Sequence, residues 1–78
     1  MDISLEGKDK DVILDIINGY KEIKKIENIS SVPVGAQYMV FVTICLDGNM
    51  STFESHKLAD NLEKNISALD VVYKTIVH

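Results

Sequence analysis

From Gln37 to Leu46 the chain alternates with a period of two: Tyr38, Val40, Val42, Ile44 and Leu46 point one way, and Gln37, Met39, Phe41, Thr43 and Cys45 point the other. That is the signature of a strand. Its second face is also mostly apolar, so the strand is central in a sheet, or is covered on both sides with another subunit supplying the second cover. The whole chain has 78 residues and a mass of 8.7 kDa, which allows one small domain and no second. A core of that size seldom contributes more than about 3–5 kcal/mol, and a disulfide, a metal or a partner subunit often adds to it. The lone Cys45 cannot form a disulfide within the chain. A metal or a second copy is left as the support.

The other elements arrange themselves around this strand. Between Asp9 and Tyr20 the apolar positions Val12, Ile13, Ile16, Ile17 and Tyr20 recur at steps of three and four, the stripe of an amphipathic helix. Asn18 and Gly19 close it, with Gly19 suited to a left-handed end. Ile26, Asn28, Ser30 and Val32 alternate with Glu27, Ile29 and Ser31 as a first strand, and Pro33-Val34-Gly35 reads as the following turn. Asp47-Gly48-Asn49 breaks the central strand. Ser51-Thr52-Phe53-Glu54 then fits a capping box that opens a helix running to about Ser67. Phe53, Leu58, Ala59, Leu62 and Ile66 form its buried stripe, and Glu54, Lys57, Asp60, Glu63 and Lys64 face water. A turn over residues 68–70 leads into Val71 to His78, a β-branched run that forms the third strand.

The order is helix, strand, strand, helix, strand. It predicts an α+β fold, a two-layer αββαβ sandwich with two helices on one face of a three-stranded sheet, strands one and two forming a hairpin. Residues 1–8 read as a flexible N-terminal arm and residues 9–78 as the folded domain.

Composition removes several classes of function. The net charge is −4, the eight basic residues are all Lys, and their one cluster, Lys21, Lys24 and Lys25, is interleaved with Glu22 and Glu27. Nucleic acid is not an expected partner, because polyanion binding needs a concentrated basic face and favours the guanidinium fork. The uncharged stretch from Asn28 to Leu46 is interrupted by polar residues, Pro33 and Gly35, so it does not read as a membrane span. No nucleophile and base pair up, no phosphate loop is present, and an enzyme is not expected.

Two histidines remain, His56 early in the second helix and His78 at the end of the third strand. A single histidine is more often an ordinary surface residue than a ligand. Here the helix leads directly into the strand, so both rings belong to one edge of the sandwich, and imidazoles with nearby carboxylates suit zinc or a similar divalent ion. Glu27, Asp47 and Glu54 are the candidate carboxylates. Cys45 and the tyrosines Tyr20, Tyr38 and Tyr73 read as packing residues.

The run Ser51-Thr52-Phe53-Glu54-Ser55-His56-Lys57-Leu58-Ala59-Asp60-Asn61-Leu62-Glu63, followed by Val71-Val72-Tyr73-Lys74-Thr75-Ile76-Val77-His78, resembles the C-terminal cytosolic domain of cation diffusion facilitator transporters. In that family a helix carrying Ala/Ser-His-x-x-Ala-Asp-x-x-Glu precedes a strand closing on Val-x-x-His-Val. The resemblance implies a ferredoxin-like, metallochaperone-like domain that forms a homodimer at the cytoplasmic face of a membrane, attached to the transmembrane domain of the same transporter. It implies metal ligation by His56, facing the partner subunit, and by His78. Glu27 and Thr43 stand where the family carries strand histidines, which leaves Glu27 as an oxygen donor in place of an imidazole. On this resemblance the domain senses zinc or a similar divalent ion and couples it to efflux. Two alternatives stand beside it: a constitutive dimerisation domain without a competent metal site, and a free-standing soluble metal carrier or small-ligand sensor.

Overall fold

A computed structural model describes residues 7–78 of the chain. The elements are α1 (Lys8–Asn18), β1 (Ile23–Val34), β2 (Gln37–Leu46), α2 (Thr52–Ser67) and β3 (Val72–Val77). The sheet order is β1-β2-β3, with β1 antiparallel and β3 parallel to the central β2. Both helices lie on one face. Of the arm expected over residues 1–8, all but Gly7 and Lys8 lies outside the described residues, and Lys8 already belongs to α1.

The core sits between that face of β2 and the helix stripes. Val40 and Val42 are fully buried against Ile13 and Ile17 of α1 and Leu62 and Ile66 of α2, with Val72 of β3 beside them. The predicted stripes therefore point inward, with two exceptions. Val12 is 40% exposed and Phe53 is 72% exposed. Phe53 falls in the first turn of α2, and the Lys57 ammonium lies over its ring, 5.7 Å from its centre.

The caps follow from simple accounting of backbone donors. Ser51 Oγ accepts the Glu54 N–H at 3.0 Å and Glu54 Oε1 accepts the Ser51 N–H at 3.1 Å, the reciprocal capping box expected at this helix start. Gly19 closes α1 at φ −75°, a right-handed conformation, so the left-handed end expected there does not form. The chain turns instead by bonding the Tyr20 and Ile23 amides to the carbonyls of Ile17 and Tyr20. Glycine is required at Gly35, whose φ is +61° in the β1–β2 turn. That turn lies two residues later than expected. Pro33 and Val34 are still strand, because β1 is an edge where a missing proline N–H leaves no ladder bond broken.

β1 also departs from strict alternation. Its pairing steps from Ile26 opposite Ile44 to Asn28 opposite Thr43, leaving Glu27 as the extra residue of a bulge, and a second irregularity leaves Lys24 extra. The bulge explains why Ile26 and Ile29 both reach the core although they are three apart. We predict that Leu62→Ala lowers unfolding free energy by about 3 kcal/mol and Ser51→Ala by about 1 kcal/mol in urea titrations. Phe53→Ala, which the expected stripe would have ranked with Leu62, should change it by less than about 0.5 kcal/mol.

Candidate functional site

α2 runs back along β3 and is stitched to it by two side-chain rungs. Ser67 Oγ donates to Thr75 Oγ1 at 2.9 Å, and Glu63 Oε2 accepts the Val77 N–H at 3.0 Å. The start of α2 and the end of β3 are thereby at the same end of the sandwich. His56 lies about two helical turns, roughly 10 Å along the axis, before Glu63, and His78 directly follows Val77. Both histidines are exposed. They share an end and sit in different layers, His56 on the helices and His78 on the sheet.

His78 lies just beyond β3, yet its backbone continues the ladder. Its N–H donates to the Val42 carbonyl at 2.7 Å, and its carbonyl accepts the Ile44 N–H at 3.2 Å. Thr75 is buried beneath the helices and Val77 packs against the core, so alternation assigns Ile76 and His78 to the opposite, uncovered face of the sheet. On that face Thr43 and its partner Asn28 follow across the strands.

Glu27 reaches the same end by a different route. As the bulge residue it is released from the ladder, and its Oε2 accepts the Cys45 thiol at 2.9 Å with the Lys25 ammonium 3.9 Å away. Cys45, expected as a packing residue, is thus also a hydrogen-bond donor. The thiol is half-buried on the uncovered face, and its hydrogen bond to the Glu27 carboxylate, with partial burial and the negative charge there, pushes its pKa above the ordinary 9.0, Lys25 opposing weakly. The pairing left one trace in the sequence: Ile26 and Ile29 are three apart in a strand, the spacing a bulge produces.

Other candidates are engaged elsewhere. Glu54 closes the capping box, and Asp47 Oδ1 accepts the Asn49 N–H at 3.0 Å in the loop before α2. Glu63, expected to face water, is half-buried on Val77. Among the described residues, no three His, Cys, Asp or Glu side chains converge closely enough to hold a metal ion. The donor types, two imidazoles and a carboxylate, fit a zinc-like ion, and one protomer alone does not complete the four positions such an ion takes.

Beside this end lies an open cleft of about 420 Å³, lined by Tyr20, Glu22, Met50, Glu54, Lys57, Leu58 and Asn61. The Tyr20 hydroxyl donates to Asn61 Oδ1 at 2.5 Å and accepts from Asn65 Nδ2 at 2.6 Å, tying the end of α1 to α2. Among the described residues, no helix is long and apolar enough to cross a membrane.

Comparison with known proteins places this geometry in context. A family model describing the cytoplasmic domain of cation efflux proteins matches residues 5–78. Metal tolerance protein 7 of Oryza sativa subsp. japonica is 30% identical over 63 residues, 81% of this chain, and the chain spans 16% of that relative's length. The metal-bound C-terminal domain of the CzcD transporter from Thermotoga maritima superposes with a TM-score of 0.84 at 21% identity, over 90% of this chain and 83% of that one. The cytosolic domain of a cation diffusion facilitator family protein superposes at 0.80 with 21% identity, over 88% and 83%. These structural matches share the αββαβ fold.

The Glu27–Cys45 contact makes a signed prediction. In Glu27→Gln the thiol loses its anionic acceptor, its pKa falls, and alkylation of Cys45 by iodoacetamide at pH 8 runs faster than in the parent chain. An unchanged pH profile of alkylation would mean that the two side chains are not bonded in solution.

Proposed function

The chain belongs to the cytoplasmic-domain family of cation efflux proteins, the cation diffusion facilitators, and from that premise we propose that it is the regulatory and dimerisation domain of a divalent-metal efflux transporter. The transmembrane domain of the same protein is its partner across the membrane surface, and the domain lies on the cytosolic side. The relative whose length it spans by 16% gives room for such a membrane part.

The observation that carries the reading is the uncovered face of the sheet. Both helices cover the Val40 and Val42 side, and the other side presents Val32 at 50% exposure and Ile76 at 38%, flanking half-buried Met39 and Phe41. Exposed apolar surface of this kind marks an interaction face, and the occupant we infer is a second copy of the chain. His78 and the Glu27–Cys45 pair border it. In an isologous dimer each copy brings its own sheet donors, His78 and Glu27, and offers its helix-layer His56 to the other.

Their chemistry supports the coupling. Neutral imidazole and carboxylate bind zinc or a similar ion, which supplies positive charge that only a closed arrangement of the two copies surrounds with enough donors. The closed dimer then has the higher affinity, and loading shifts the population toward it. A coupling of about 1–3 kcal/mol is enough to alter the attached transporter.

A second reading, a constitutive dimer without a competent metal site, is favoured by one observation: no three donors converge within a protomer among the described residues. Zinc titration followed by small-angle scattering separates the two. The sensing reading expects a dimer that contracts on zinc and a His56→Ala, His78→Ala double variant that does not. A dimer of fixed shape with no zinc uptake supports the second. Phe41→Glu should convert either dimer to a monomer in sedimentation velocity while leaving the far-ultraviolet spectrum unchanged, because its side chain faces away from the core.

A further inference from the structure

β3 is an edge strand, and its inner side is fully used at its end: the His78 amide and carbonyl are both bonded to β2, to Val42 and Ile44. In a parallel pair only alternate residues bond inward, so the Val77 N–H faces away from the sheet, where an edge amide ordinarily has only water. Here the Glu63 carboxylate accepts it at 3.0 Å from a half-buried position on α2. A bond to a charged acceptor is shorter and stronger than a neutral one.

The rung is in step with its neighbour. Four residues of helix, Glu63 to Ser67, advance about 6 Å, and two residues of strand, Val77 to Thr75, advance about 6.6 Å. The two rungs therefore clamp α2 to β3 without distortion, and Glu63–Val77 is the last one before His78. Strand ends fray unless tied, and a frayed Val77 would take the adjacent imidazole with it.

We propose that Glu63 is a positioning residue for His78: by holding the outward Val77 amide it keeps the residue that follows β3 in the ladder, with its imidazole fixed at the border of the open sheet face. The inference rests on the reading of His78 as a metal ligand and adds to it the group that orients this ligand through the backbone. Such supporting groups around a metal site are worth on the order of 10–100-fold in affinity.

The test is zinc affinity of the 78-residue chain, measured by competition with a chromophoric chelator, together with amide hydrogen exchange at Val77 and His78. Glu63→Ala should weaken zinc binding about tenfold and speed exchange at both amides. Glu63→Gln, which keeps an acceptor oxygen, should stay close to the parent chain. In a His78→Ala background, Glu63→Ala should cause no further loss. Ser67→Ala removes the neighbouring rung and should lower thermal stability without changing zinc affinity. Unchanged affinity in Glu63→Ala, with His78→Ala impaired, overturns the inference and leaves the metal reading standing. An equal loss in both backgrounds also overturns it, since Glu63 would then act independently of His78. Parent-like affinity in His78→Ala overturns the metal reading, and this inference with it.

Discussion

A single layer of helices can cover only one side of a sheet, and β2 is apolar on both. Val40 and Val42, with Tyr38 and Ile44 beside them, face α1 and α2, and Met39 and Phe41, with Val32 and Ile76 alongside, lie on the uncovered face. For a domain this small the unburied half is a large share of the available apolar surface. The rest of the proposed biology depends on that imbalance: the second copy supplies the missing layer, and the donors at the border of the face become shared groups.

The architecture was legible where one physical signal dominated. The alternation from Gln37 to Leu46 identified the central strand, and the Ser51–Glu54 capping box marked the start of α2. The parts that were not legible are those where tertiary placement decides. Phe53 fits the apolar stripe by spacing, yet in the first turn of α2 it stays 72% exposed, with the Lys57 ammonium over its ring. Glu63 fits the polar face by spacing, yet the edge amide of Val77 draws it inward. Pro33 signals a turn, but an edge strand tolerates it, and β1 runs on to Val34.

The candidate donors show the same division. Residue types and the order of helix and strand were enough to bring His56 and His78 to one end, because a parallel crossover forces the start of α2 and the end of β3 together. That His78 faces away from the helix layer that carries His56 could not be read, since it depends on which face of the sheet the residue after β3 takes. Glu27 owes its position to a bulge, and its engagement by Cys45 depends on a register shift that periodicity alone does not reveal. The carboxylate that the resemblance offers as a ligand thus has a thiol bonded to it, so metal binding there would compete with that bond or recruit the sulfur as well.

The account stands on donors being completed between copies and not within one. Anomalous diffraction at the zinc edge from crystals of the zinc-loaded chain measures this directly. It should locate ions about 2.0–2.1 Å from an imidazole nitrogen of His78, with His56 of the other copy in the same coordination sphere. Zinc held wholly by side chains of one copy, or no zinc at His78, would contradict it.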